Sequence, residues 1–298
     1  MKKILSLVLA VLMIATSAVL LASCSKSNDD FVAVDATDLI KEDFGIGVKK
    51  NSPELLAAVN KVVNEWVANG NMAKYEAYYT QLEDSQDGSV AAPEAGDLKV
   101  TWDFGSATEE ITVYTESGFA PFEFIHNGAV VGVDMAIMSQ VAVDMGKKLN
   151  IQDIAFDTIP TALASSAGLA VAAAGLTITE DRAAQMDFSS VYYSSTLVVV
   201  SAKDKAYDSV ADLANLKVGV QEGTSGDLII SAAKTEAGHT YEVEKDDGTT
   251  DTVVVKAAGV EVKQYKQYAL ALADLKAGRI DAILMDKLPA QTMLNAED

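Results

Sequence analysis

Cysteine and histidine are nearly absent: the 298 residues hold one Cys, at position 24, and two His, His126 and His239. One thiol cannot close an intramolecular disulfide or build a Cys-rich zinc site, and two isolated histidines provide no ligand spacing, so neither a metal nor another cofactor is expected. Positive charge is also scarce. Lys and Arg total 23 against 43 Asp and Glu, a formal charge of −20 that repels a phosphate backbone and argues against a nucleic-acid partner. The chain is 49% apolar and 22% charged, which excludes disorder and collagen-like repeats. It is long enough for one large domain or two ordinary ones, and its stability has to come from packing.

The N-terminus is set aside before the fold is read. Lys2 and Lys3 precede an almost unbroken apolar run from 4 to 22, followed by Leu21-Ala22-Ser23-Cys24. A plain transmembrane anchor is one reading, since about 20 apolar residues span a bilayer. The tetrapeptide resembles the lipobox of bacterial lipoproteins, however, in which the Cys thiol receives a diacylglycerol and the chain is cut just before it. That resemblance implies a signal peptide at 1–23, lipidation at Cys24, a polar tether at 24–30 and an extracytoplasmic protein anchored to the cell membrane.

Beyond the tether, apolar runs alternate with helical patterns, which indicates an α/β fold. Ser52-Pro53-Glu54 predicts an N-cap, a proline at N1 and an acid in the first turn. Leu55, Leu56, Val59, Val62, Val63, Trp66 and Val67 then recur at helical spacing to Gly70, and Asn71 opens a second helix through Tyr79. Residues 82–110 read as a long connector, with 98–102 extended. Strands are predicted at 111–115, 169–173, 197–201, 217–221 and 282–285, helices at 133–149 and 268–278, and an inserted hairpin at 241–256 turning on Asp247-Gly248.

Four loops carry chemistry. The run from Tyr114 to Phe124 leaves a strand through Glu116, Phe119 and Phe122, and α/β ligand sites lie at such strand ends, although the aromatics could equally fill core. Gly175-Leu176-Thr177-Ile178-Thr179-Glu180-Asp181-Arg182 ends another strand with hydroxyls and an arginine, whose fork suits a carboxylate. Gln221-Glu222-Gly223-Thr224-Ser225-Gly226-Asp227 enters a helix through small residues whose N–H groups can cradle an anion, without the lysine of a P-loop. Asp281 and Asp286 flank the apolar strand 282–285, and the acid at its C-terminal end, Asp286, is a candidate ammonium partner or a strand-end turn residue. An aromatic platform, an arginine with N–H donors and an acid together specify a zwitterion.

Over residues 31–298 this combination resembles the amino-acid-binding proteins of bacterial ABC importers, and the lipobox agrees with it. The resemblance rests on the Gly118-Phe119-Ala120-Pro121-Phe122-Glu123 loop, on 174–182 with Met186-Asp187-Phe188-Ser189 and Tyr192-Tyr193, on 218–225, and on 278–286. It implies a two-lobed periplasmic-binding-protein-like fold of type II, with two mixed sheets flanked by helices and joined by two hinge strands. The segment 44–56 and the helices to Tyr79 resemble what the family carries at its C-terminus, yet here they come first, so the chain reads as circularly permuted. That order implies hinge strands at 44–49 and 197–202, lobe one at 50–196 including the linker 82–110, and lobe two from 31–43 and 203–298.

The resemblance also implies roles. Phe119 and Phe156 would sandwich the ligand's aliphatic part. Thr177 and Arg182, with the backbone of Thr224 and Ser225, would hold its α-carboxylate. Asp286 and the Gly175 carbonyl would hold its ammonium, and Glu116, Gln221 and Met285 would meet its side chain. Ala170 departs from the acid common in the family at that strand start. The expected partners are a free amino acid, polar or cationic rather than acidic, and a membrane ABC permease. No catalytic residue and no enzyme activity is expected. A cyclohexadienyl or arogenate dehydratase-type enzyme on the same scaffold, with Glu116 as acid, and a sensory ligand-binding protein are the alternatives.

Overall fold

The structure is a computed structural model that describes residues 26–98, 100–244 and 249–296. Strands Phe31–Asp35 (β1), Glu42–Phe44 (β2) and Gly47–Lys49 (β3) precede helices Pro53–Asn69 (α1) and Asn71–Asp84 (α2). Next come Glu110–Thr115 (β4), Gly118–Phe119 (β5), Glu123–His126 (β6), Ala129–Val131 (β7), Val133–Met145 (α3), Lys148–Asp153 (β8), Ile159–Ser165 (α4), Leu169–Ala172 (β9), Glu180–Gln185 (α5) and Met186–Phe188 (β10). The remainder is Tyr193–Ser195 (β11), Leu197–Ala202 (β12), Lys217–Gln221 (β13), Ser225–Ala233 (α6), His239–Glu244 (β14), Thr250–Val255 (β15), Glu261–Tyr265 (β16), Tyr268–Lys276 (α7), Ala282–Asp286 (β17) and Lys287–Asn295 (α8).

Two five-stranded mixed sheets organise two lobes, in the orders β10-β3-β9-β4-β8 for lobe one and β1-β12-β17-β13-β16 for lobe two. Each has antiparallel pairs at one side and parallel pairs at the other. The central strands are apolar on both faces because helices cover both. β12 and β17 are buried along their whole length.

The apolar stripe of α1 buries Leu55, Val59, Val62, Val63 and Trp66, and Gly70 ends the helix in the left-handed conformation at φ 75°. Trp66 stacks on Tyr75 of α2 at 4.2 Å between centroids, and Tyr79 meets Phe124 edge-on. Both helices pack on α3 in the lobe that carries Phe119 and Arg182. At the other end of this N-terminal segment, β1 lies beside β12 and packs against α8 in lobe two. Lys287 pairs with Asp35 at 2.9 Å, and the Asn28 amide donates to the Ala296 carbonyl, so the two ends of the described chain touch.

Several expectations change. Pro53 takes N1, but the Ser52 side chain makes no capping bond. Helix α3 stops at Met145 instead of 149 because Gly146 turns left-handed at φ 64°, and the next residues form the polar edge strand β8, whose weak alternation hides it in the sequence. Residues 98–102 form no strand among the described positions; Thr101 instead exchanges bonds with Ser139 of α3. The run 197–202 forms β12, buried along its whole length as an inner strand of lobe two between β1 and β17. Likewise β3 belongs to the sheet of lobe one, between β9 and β10. The ribbon between lobes is β2 paired with β11, Tyr193 opposite Phe44 and Ser195 opposite Glu42. Residues 28–30 of the expected tether form a single 3-10 turn against α8. The signal peptide, Cys24 and the turn Asp247-Gly248 lie outside the described residues, while β14 and β15 pair antiparallel as the hairpin requires.

Candidate functional site

The ends of β4, β9, β13 and β17 converge where the lobes meet. They enclose a tight cavity lined by Glu116, Phe119, Phe156, Ala174, Gly175, Thr177, Arg182, Gln221, Thr224, Ser225 and Asp286. Every candidate binding residue is therefore brought together except Met285. In a strand successive side chains point to opposite faces, so with Asp286 facing the cavity Met285 faces away. It lines a separate groove with Tyr268, Leu272 and Pro289.

Arg182 sits on α5, whose first turn is capped by Thr179 accepting from the Arg182 N–H. Its side chain is threaded through lobe one to the cavity: Nη1 donates to the Thr177 carbonyl at 2.8 Å and Nη2 to the Gly223 carbonyl of lobe two at 3.1 Å. The guanidinium lies 5.5 Å from the centre of the Phe156 ring, so Phe156 braces the cation. Phe119 lies under Gly175 and stacks on Tyr268 at 6.4 Å.

Gly175 is obligatory on two counts. Its φ is +54°, and a Cβ there would come within 2.5 Å of Phe119. Gly175→Ala is expected to lower stability by about 1–3 kcal/mol, from backbone strain and overpacking, and to weaken ligand affinity by tilting the ring. A thermal melt and a titration of the variant check both.

Acids dominate the electrostatics. Asp286 is 5% exposed, and its Oδ1 has no hydrogen-bond partner. Burial pushes its pKa up to about 8, reinforced by the Glu42 charge and partly offset by Ser195 and Arg182. Glu116 accepts from Gln221 Nε2 and Gln267 Nε2, both at 2.8 Å and both across the cleft, and burial raises its pKa as well. At the mouth, Lys266 of lobe two holds Asp157 of lobe one at 3.0 Å and Glu222 at 2.6 Å. The lobes are thus shut, with bonds running between them at the floor, middle and rim.

Two contributors escaped the sequence reading. Ala174 lines the wall next to Gly175 and carries no chemistry. Glu42, on β2, accepts from Ser225 Oγ at 2.6 Å and from Thr177 Oγ1 at 3.2 Å. No local motif marks it, because it reaches the site only through the pairing of β2 with β11.

Behind the cavity, Glu123, Asp134 and Tyr192 form a buried cluster in which Asp134 accepts the Gly175 N–H at 3.0 Å. Desolvation raises the pKa of Asp134 to about 6 and, with the Asp134 charge beside it, pushes that of Glu123 well above the usual carboxylate range. The cluster fixes the Gly175 peptide.

Known proteins place this geometry in a family. The profile of the bacterial extracellular solute-binding proteins, family 3, matches residues 111–257. The arginine-binding extracellular protein ArtP of Bacillus subtilis is 34% identical over 40% of this chain and 46% of its own length. ABC transporter arginine-binding protein 1 of Escherichia coli is 29% identical over 63% of this chain and 68% of its own. The chain thus spans less than half of the first relative and about two thirds of the second. A solved ancestral arginine-binding protein bound to arginine superposes with a TM-score of 0.52 at 32% identity, covering 62% of this chain and 73% of that one. Matched by the family profile over residues 111–257 and by a solved relative at 32% identity over 73% of its length, the chain belongs to the bacterial extracellular solute-binding proteins, family 3.

Proposed function

We propose that the protein is a lipid-anchored extracytoplasmic receptor, circularly permuted, that closes on a cationic or polar amino acid and presents it to an ABC permease. The observation that carries the ligand class is Asp286, a buried acid with an unpartnered oxygen, lining a cavity whose one cation among the described residues is Arg182. A buried acceptor without a donor costs free energy that a ligand ammonium recovers. Glu42, Glu116 and Asp286 outnumber Arg182, so a ligand of net positive charge balances the site and an acidic side chain meets Glu116 as a like charge. The arginine-binding names of the relatives agree with this. For the permutation, support comes from β3 lying between β9 and β10, from the contact between the chain's two ends, and from a family match that starts only at residue 111.

Calorimetry against arginine, histidine, lysine, glutamine, glutamate and aspartate, with the ligand recovered unchanged after release, tests the function. Binding confined to acidic amino acids, or no binding at all, refutes it. Asp286 adds a signature in pH. Its pKa of about 8 means that it holds a proton at pH 7, and an incoming ammonium requires it charged. Protons leave on binding, so affinity rises with pH, by up to about tenfold per unit below pH 8, and levels off above it. The dependence of the binding enthalpy on buffer ionisation enthalpy measures that release. In Asp286→Asn the release disappears and amino-acid affinity falls by roughly a hundredfold or more, while des-amino analogues lose little.

A further inference from the structure

Asp227 is a buried carboxylate beside the cavity that does not line it. It stands in the first turn of α6 and is 4% exposed, yet it collects three donors. Its Oδ2 accepts the Gly223 N–H at 3.0 Å and Gln264 Nε2 of β16 at 2.7 Å, and its Oδ1 accepts Ser231 Oγ, one turn along α6, at 3.1 Å. All three partners belong to lobe two, so the network does not depend on contacts across the cleft. An acid at this place in a capping box ordinarily reaches back to the N–H of the N-cap residue. Here the cap is Thr224, whose Oγ1 accepts the Asp227 N–H at 3.3 Å, but the return bond passes over Thr224 to Gly223. The Thr224 N–H, one of the two expected to hold a ligand carboxylate, is left with a long 3.3 Å bond to the Gln221 carbonyl. It lies in the rigid peptide plane that Gly223 begins. Gly223 has φ +81° and no side chain of its own to fix it, so what grips its N–H sets the direction of that plane.

We propose that Asp227 is the positioning residue of the carboxylate seat: braced by β16 and α6, it grips the Gly223 N–H and so aims the Thr224 and Ser225 N–H groups at the ligand, which it does not itself touch. The seat rests on the amino-acid-binding reading above; the grip on Gly223 does not. Position and charge can be separated. Asparagine keeps the grip, since its oxygen takes the place of Oδ2 and its NH2 that of Oδ1, where the Ser231 hydroxyl can turn to accept. Alanine leaves the Gly223 N–H and the Gln264 amide without that acceptor.

The test compares the wild type with Asp227→Asn and Asp227→Ala. Amide hydrogen exchange at Gly223, followed by NMR, reads the grip. Calorimetry with arginine and with argininamide, whose neutral carboxamide draws less from the seat, reads the positioning. Exchange at Gly223 is expected to be slow in the wild type and Asp227→Asn and about tenfold or more faster in Asp227→Ala. The ratio of arginine to argininamide affinity is expected to fall about tenfold in Asp227→Ala and to stay within about threefold in Asp227→Asn, as for one misdirected hydrogen bond to a charged group. Equal losses for both probes, or unchanged arginine affinity in a folded Asp227→Ala, overturn the seat. Asp227→Asn as weak toward arginine as Asp227→Ala overturns it too, because charge and not position would then decide. Exchange as slow in Asp227→Ala as in the wild type overturns the grip. If Asp227→Ala does not fold, the double variant Ser231→Ala with Gln264→Ala, which leaves the Asp227 carboxylate unbraced, takes its place with the same expectations. If the wild type binds neither probe, the receptor reading fails and the seat with it, while exchange at Gly223 still decides the grip.

Discussion

Replacing Arg182 with alanine is expected to abolish measurable amino-acid binding and leave the fold intact. The side chain is 7% exposed, and it donates to the Thr177 and Gly223 carbonyls on opposite sides of the cleft. Among the described residues it is the only cation lining the cavity. Truncating one member of a buried, hydrogen-bonded charge pair costs about 2–5 kcal/mol, a loss of about 30- to 5,000-fold in affinity. The loss should reach the upper end here, because a ligand carboxylate then enters a desolvated site without a counter-charge. Lysine is no substitute, since a point charge cannot bridge two carbonyls as the planar fork does. Isothermal calorimetry with circular dichroism on the same sample measures this, and unaltered affinity in a folded variant would remove Arg182 from the carboxylate's seat.

The largest effect on the whole molecule is expected from the chain's N-terminal third. Deleting residues 31–81 removes β1, β2 and β3 together with α1 and most of α2, and so takes an edge strand from one sheet, an inner strand from the other and one strand of the ribbon. It also exposes the face of α3 on which Val59, Val63 and Trp66 pack, at about 25 cal/mol for each Å² of apolar surface returned to water. No cooperative melt and no ligand binding should remain. Moving the same residues is expected to be harmless. A chain that begins near 106, runs to 296, continues through a short linker into 28 and ends near 87 keeps every sheet contact, because Asn28 and Ala296 already touch and the new ends fall in the exposed stretch between α2 and β4. Its melting temperature and affinity should match the original within a few degrees and about twofold. A deletion variant that still binds, or a relinked chain that does not fold, would show that residues 31–110 are a separate domain.

The sequence by itself determined the parts whose signal is local. Continuous apolar runs flanked by turn residues located β4, β9, β12, β13 and β17, since a strand covered on both faces has no polar alternation to blur it. The stripe from Leu55 to Trp66 and the glycine at 70 located α1 and its end, because helical period and capping are written within a few residues. The cavity residues at 116–119, 175–182 and 221–225 were legible for the same reason: a ligand site built at strand ends needs small residues, hydroxyls and charges in consecutive positions. Met285 lines the neighbouring groove instead, where strand alternation, equally legible in the sequence, places it behind Asp286. What remained went to the tertiary structure. Which strands pair depends on partners far along the chain, so only the tertiary structure sets 197–202 between β1 and β17 and pairs β2 with β11. Glu42 was invisible for that reason: its carboxylate gains meaning only when pairing brings it to hydroxyls at 177 and 225, and a charge acquires its energy from its neighbours in space rather than in sequence.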